Sequence, residues 1–416
     1  MKYSFCIISI LALGISYAGS AMAATDMAET QTEPATLAQD LRSGFYSRIN
    51  VLGFGTVQGI RDSQTNLNAS RIPRYQTEID VRPDFNLNFR QFEFGVKPRF
   101  QYARNKIETG TDASSYDTSH HFFINGAFAR YRMTDKLLAI YGRENLQWGP
   151  SSLLSPSNPF NANNGKNNPS LELPGLDFVR WVAIPNSALT MSLIANTGPG
   201  RLEKNTSFSP FNPFVPLDSF EKTYAAKVDY TGDGHYFSVI SSYRERDHRH
   251  RLGLFGGWNV SDALLIYAEG SGAKKADNPP TTRNDYQLLL GSAYTLEAGP
   301  TITLEYFHNN NGCDLTGISL CMAQQPLTLD PRYPLLRRRY ALLQYVDSKI
   351  GGNLNLAVRL IKNIDDNSNL LSANLEYEMG RNWQLYFVPT LYGGKRDSEF
   401  GNSLRHSTFI GASYTF

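Results

Sequence analysis

The sequence predicts an all-β fold: one transmembrane, antiparallel, up-and-down β-barrel of about 18 strands (16–18). Three observations predict it. From Phe45 onward the dominant hydrophobic period is two, held over segments of about 10 to 14 residues, where soluble strands run to about 5–6. Aromatic residues crowd the segment ends (Tyr46, Tyr131, Tyr141, Trp181, Tyr230, Trp258, Tyr294, Trp383), where the two membrane interfaces would lie. Short and long connections alternate along the chain, the asymmetry of a barrel with periplasmic turns and external loops.

The chain of 416 residues carries 40 Lys+Arg against 38 Asp+Glu, a net charge of +2. That balance excludes a strongly basic nucleic-acid binder, so no nucleic acid is expected as a partner. Beyond residue 25 no apolar run approaches the ~20 residues that a membrane helix needs. A membrane-spanning reading must therefore use strands.

The N-terminus reads as an export signal. Met1-Lys2 is a positive start, Phe5 to Ala18 an apolar stretch, and Ala21-Met22-Ala23 a small-x-small cleavage site, so residues 1–23 are expected to be removed. Cys6 leaves with them. Cys313 and Cys321 remain, and in an oxidising compartment they are expected to close a loop disulfide. Residues 24–43 are polar and poorly periodic and read as a flexible periplasmic lead-in, with the barrel over 44–416.

Within the barrel, Phe92, Phe94, Val96, Pro98, Phe100 and Tyr102 alternate with Glu93, Lys97, Arg99 and Gln101. Tyr224, Ala226, Val228 and Tyr230 alternate with Lys227 and Asp229, and Leu354, Leu356, Val358 and Leu360 with Asn355 and Arg359. The phase switches near Asn88–Gln91, which places a tight turn there. Short turns fall at 133–136, 184–187, 231–234, 259–262, 296–299, 349–352 and 379–382, rich in Gly, Asn and Asp. Long links fall at about 60–75, 104–119, 149–176, 198–220, 244–251, 272–283, 311–336, 364–369 and 394–402. In hydrocarbon every backbone group must be paired, so the sheet must close. A barrel of this size holds an aqueous interior unless loops fill it.

On the polar faces, Arg99, Arg130, Arg132, Arg143, Arg180, Glu144 and Arg359 are candidates for a charged constriction that orders water and selects solutes. Glu93, Asp229, Glu269, Glu305, Glu376 and Glu378 lie on comparable faces. A ladder of ion pairs that only hydrates the wall is the competing reading. The link at 149–176 is unusual: Trp148, Leu153, Leu154 and Phe160 are too apolar for a free external loop, and prolines stiffen it. It is expected to fold inward, in the position of a porin constriction loop. Arg244, Arg246, Arg249 and Arg251 form a basic hairpin tip, a candidate surface for lipopolysaccharide phosphates or acidic polysaccharide. His248 and His250 are two ligands without a third, and Asp365 to Asn369 lacks a full calcium pattern, so no metal is expected. No P-loop, dinucleotide or nucleophile-elbow motif occurs, so no catalytic residues and no cofactor are expected.

Two stretches resemble known families. The ending Ile410-Gly-Ala412-Ser-Tyr414-Thr-Phe416 resembles the C-terminal assembly signal of bacterial outer-membrane barrels. That resemblance implies the barrel assembly machinery, outer-membrane lipids and lipopolysaccharide as partners. Gln147-Trp148-Gly149-Pro150, Leu153-Leu154 and Phe178-Val-Arg180-Trp181-Val182 resemble the capsule-assembly Wzi family. That resemblance implies a surface barrel holding exopolysaccharide. The expected function is a passive, porin-like channel for small polar solutes, with a polysaccharide-binding barrel as the alternative and an outer-membrane hydrolase as a minor one.

Overall fold

The computed structural model describes residues 37–61, 68, 71–109, 113–164, 172–201, 222–245, 248–274, 284–324 and 335–416. The expected export signal at 1–23 and most of the lead-in lie outside these residues. The described lead-in residues are not extended: Leu37–Gly44 form a short helix, α1, against the second strand. Leu-Ala-Gln-Asp-Leu-Arg is a run of helix-compatible residues, and the period-two pattern begins only after it.

Eighteen strands follow: β1 (Phe45–Ile60), β2 (Tyr75–Phe89), β3 (Phe92–Thr109), β4 (Ala113–Thr134), β5 (Leu137–Glu144) and β6 (Leu176–Asn186). Next come β7 (Leu189–Gly198), β8 (Thr223–Gly232), β9 (His235–Arg244), β10 (Arg249–Asn259), β11 (Leu264–Ala273) and β12 (Asp285–Thr295). After β13 (Thr301–Asn309) a helix α2 (Ile318–Gln324) interrupts, and β14 (Arg339–Ile350), β15 (Leu354–Asn363), β16 (Asn369–Met379), β17 (Trp383–Gly393) and β18 (Leu404–Thr415) complete the chain. Each strand pairs antiparallel with its sequence neighbours, and β18 pairs with β1 from Asn50↔Thr415 to Ile60↔Leu404, which closes the sheet. Both chain ends of the barrel lie at the short-turn end.

The outer wall is apolar. Phe94, Phe100, Phe122, Leu193, Leu252, Leu254, Leu288, Leu290, Leu304, Leu343 and Ile410 all point outward and exposed. In water such a girdle would be intolerable; in lipid it is the required surface. No helix among the described residues is long and apolar enough to span a membrane, so the strands do the crossing.

Two departures from the sequence reading have local causes. The link expected at 104–119 is mostly strand: β3 and β4 stay paired from Phe92↔Tyr131 out to Thr109↔Ala113. Pairing of backbone groups does not need an apolar alternation, so the hairpin continues past the greasy belt where the sequence pattern fades. The residues at 122–133 do not keep the period of two, and a β-bulge is the cause. Lys97 faces Gly126 while Pro98 faces Ile124, so Asn125 is extra and the phase of β4 shifts there. Phe122 therefore points outward before the bulge and Tyr131 after it, while Arg130 turns inward to Glu93.

Leu290 lies in mid-strand on the outer wall. Replacing it with arginine is expected to cost about 2–4 kcal/mol of stability in lipid bilayers, measured by reversible denaturant unfolding.

Candidate functional site: a loop gripped inside the lumen

The link between β5 and β6 leaves the wall and enters the barrel. Leu146, Trp148 and Phe160 pack on the inner faces of β6 to β10, against Leu176, Phe178, Ile194, Ala225, Ile240 and Phe255. Phe160 makes edge contacts with Trp148 (5.9 Å) and Phe178 (5.0 Å). Leu153 and Leu154 reach the next sector and pack on Tyr267, Leu289, Phe307, Tyr340, Leu342 and Ile361 of β11 to β15. Burial of these side chains drives the loop inward. Trp148, Leu153, Leu154 and Phe160 are all under a tenth exposed.

Irregular backbone in an enclosed space needs hydrogen-bond partners. Two lumen carboxylates supply them. Glu305 on β13 accepts from the backbone N–H of Ser152 (2.6 Å) and of Leu153 (2.8 Å). Glu269 on β11 accepts from the Ser157 N–H (3.2 Å), the Ser157 hydroxyl (2.7 Å) and the Ser155 hydroxyl. The loop also braces itself. The Asn158 side chain donates to Leu146 O (2.9 Å) and accepts from the N–H groups of Phe160 (3.0 Å) and Asn161 (3.2 Å). Two glycines permit the approach. A Cβ at Gly149, where φ is +90°, would lie 2.3 Å from a Glu269 oxygen, and one at Gly253 on β10 would lie 2.8 Å from Ser157 O.

The returning end of the loop is held on the opposite side. Arg99 of β3, nearly fully buried, grips Glu172 through Nε and Nη2 at 2.7 Å each and Asp84 of β2 at 2.9 Å. Burial opposes a charge on Glu172, but the Arg99 guanidinium outweighs it and holds that carboxyl below the usual range.

The other candidate arginines are paired along the wall. Arg130 meets Glu93 (2.6 Å), Arg143 meets Asp177 (2.7 Å) and Arg180 meets Glu144 (3.2 Å). Arg359 donates to Gln344 (2.9 Å). Arg132 does not join them: it is exposed near the short-turn end of β4, with its N–H on Gln91 O. The basic tip is also placed differently from the surface expected of it. Arg249 and Arg251 are on the inner face and share Asp285 of β12, and Arg251 also donates to Ser271. Arg244 lies level with them on β9, and Arg246 lies outside the described residues. The alternation of β10 dictates this, since Leu252 and Leu254 take the outer face.

The partners Asp84, Glu172, Asp177, Asp285, Ser155 and Ser157 were not singled out from the sequence. Each is defined by register between strands or by the path of the loop, and no local motif marks them.

At the long-loop end, the segments after β13, β15 and β17 pack together. A disulfide joins Cys313 to Cys321 beside Ile318 and Leu336. Glu399, partly buried, accepts from the Tyr340 hydroxyl (2.5 Å), Asn363 Nδ2 (2.6 Å) and Leu336 N–H (2.9 Å). Burial raises its carboxyl to about 7. From β16 through β18 to β2 the inner wall carries partly exposed polar side chains, among them Asn374, Glu376, Gln384, Glu78 and Arg82. Among them lies an apolar patch of Leu52, Phe54, Val388 and Phe409.

No protein-family model and no curated protein matches the sequence. Solved structures do match in fold. OccK5 (OpdH) of Pseudomonas aeruginosa superposes with a TM-score of 0.59 at 12% identity, covering 90% of this chain and 98% of that one. OccAB3 of Acinetobacter baumannii gives 0.55 at 12% identity, covering 90% and 99%. OprD of Pseudomonas aeruginosa gives 0.51 at 12% identity, covering 89% and 95%. The likeness is one of fold, and the fold of this chain is the closed 18-stranded barrel.

Two outcomes are expected. Gly253→Val drives a side chain into Ser157 O, so thermolysin added to the folded barrel should cut within 151–164 in the variant and spare the wild type. For Glu399, the folded carboxyl is raised above its ordinary value of 4.5. The stability it lends the external cap is therefore fully present below about 4.5 and is lost as pH rises through about 7. Amide protection of Leu336, corrected for intrinsic exchange, should fall between pH 5 and pH 8, and Glu399→Gln should flatten that dependence.

Proposed function

We propose that the chain is a passive outer-membrane channel for small polar solutes, narrowed by the loop between β5 and β6. One observation carries the reading. The stretch of the loop from Leu146 to Phe160 is fixed to the β6–β15 side of the interior, while the wall from β16 to β2 keeps partly exposed polar side chains facing it. That arrangement leaves a hydrated path beside a rigid wall and gives solutes an ordered set of charges to pass. Arg99, Arg130, Arg143, Arg180, Glu144 and Arg359 form the charged lining in this reading, and Trp148, Leu153, Leu154 and Phe160 hold the narrowing element. Export through the signal at 1–23 and insertion by the barrel assembly machinery complete it.

The polysaccharide-binding alternative asks for an outward aromatic and basic surface. The residues that suggested it point elsewhere: Trp148 is buried in the interior, and Arg249 and Arg251 are turned onto Asp285. No observation favours that alternative over a channel.

The test is single-channel recording of the refolded protein in planar bilayers. Steady unit steps are expected, and replacing 151–164 by a flexible Gly/Ser linker should at least double the unit conductance. Silence from a folded, heat-modifiable barrel would overturn the channel reading. Unchanged conductance in the linker variant would remove the loop from the narrowing.

A further inference from the structure

The outer face of β2, β3 and β4 changes character along the strands. Register aligns Val81, Phe100 and Phe122 in one row, then Ile79, Tyr102 and His120. The next row is Thr77, Arg104 and Thr118, and the one after it is Tyr75, Lys106 and Tyr116. All these side chains share the outward phase of Phe94 and Phe100, so hydrocarbon gives way to an aromatic row and then to cations.

Height places these rows. From Phe92 at the short-turn end to Tyr102, a strand rising ~3.3 Å per residue and tilted ~40° climbs about 25 Å, the height of an outer-membrane apolar band. Tyr102 and His120 therefore stand at the upper rim of the band, and Arg104 and Lys106 stand just above it, at the level of outer-leaflet head groups.

The cations are held ready. The Arg104 guanidinium lies 4.8 Å from the Tyr116 ring centroid, and Lys106 Nζ lies 5.5 Å from that of Tyr75. Lys106 shares Glu108 with Arg74. Arg104 has no carboxylate partner among the described residues, in contrast to the lumen arginines Arg99, Arg130, Arg143 and Arg180, each of which meets one. Tyr75, Tyr102, Tyr116 and Arg104 are all exposed to the outside. In addition, β5 pairs with β4 only from Ala127 to Thr134. Among the described residues, the upper stretch of β4 is thus a sheet edge, with polar residues such as Ser114 and Thr118 beside the cations.

We propose that this face of β2–β4 is a binding site for the phosphorylated lipid of the outer leaflet, lipopolysaccharide. Arg104 and Lys106 take its phosphate groups, and Tyr75, Tyr102 and Tyr116 seat the boundary between acyl chains and sugar. A guanidinium presents two parallel N–H donors to one phosphate, which explains an arginine left without a carboxylate at this height. In the basic segment at 244–251, the candidate for this role in the sequence, Arg249 and Arg251 turn inward onto Asp285, and the outward cations fall on β3. The inference rests on the barrel crossing a membrane and is independent of whether the barrel conducts.

The test uses the full chain refolded into phosphatidylcholine nanodiscs, titrated with lipopolysaccharide or with its enzymatically dephosphorylated form, with bound lipid counted by native mass spectrometry. The wild type should bind the phosphorylated form at least tenfold more tightly. Arg104→Ala with Lys106→Ala should bring that affinity down to the dephosphorylated level, and Arg104→Lys with Lys106 intact should keep part of it. Heat-modifiable migration of the double variant should equal that of the wild type, because both side chains lie on the outer face; that equality shows the variant folded. Equal binding of the two lipid forms by the wild type would overturn the proposal, whatever the variants do. So would wild-type affinity in a folded double variant.

Discussion

Glu269 and Glu305 are buried carboxylates on the inner wall, and the interior of this barrel depends on what they accept. A buried charge without hydrogen-bond donors is costly, and so is irregular backbone without acceptors. The loop over 151–158 and the two glutamates each supply what the other lacks: N–H and hydroxyl groups meet carboxylate oxygens. Removing either carboxylate strands three donors at ~1–3 kcal/mol each. The apolar contacts of Leu153, Leu154 and Phe160 then add burial on top of a satisfied backbone.

The same constraint shapes the rest of the chain. Closure between β1 and β18 removes the open edges that the first and last strands would otherwise present to lipid. The bulge at Asn125 turns Arg130 toward Glu93 and keeps Phe122 and Tyr131 in lipid, so a single extra residue serves both faces. Above the wall, Glu399 plays for the external cap the part that Glu269 and Glu305 play for the loop, gathering the Tyr340 hydroxyl, Asn363 and the Leu336 N–H. Because Glu399 stands outside the lipid-spanning strands and titrates near 7, the cap responds to pH.

Much of the architecture was legible from residue order alone. Period-two segments such as 92–102 and 354–361 and the turn at 88–91 sufficed for eighteen strands, because lipid on one side and water on the other write the pleat directly into the residue types. The mixed run at 122–133 was not legible, since a bulge is a property of two strands and not of one. The polar faces pointed to arginines on the inner wall, but their partners depend on register: Asp285 reaches Arg249 and Arg251 only because β11 separates β12 from β10. Arg104 was passed over for a physical reason too. Its outward facing marks it only once the height of the apolar band is known.

The central claim is that two carboxylates hold the loop inside the lumen, and hydrogen exchange tests it most directly. In the lipid-embedded wild type, the amides of Ser152, Leu153 and Ser157 should exchange at least a hundredfold more slowly than in a free chain. Glu305→Ala should release Ser152 and Leu153 by at least tenfold while Ser157, held by Glu269, changes less. Exchange at free-chain rates in the wild type would contradict the account, as would a Glu305→Ala variant whose Ser152 and Leu153 amides remain as protected as before.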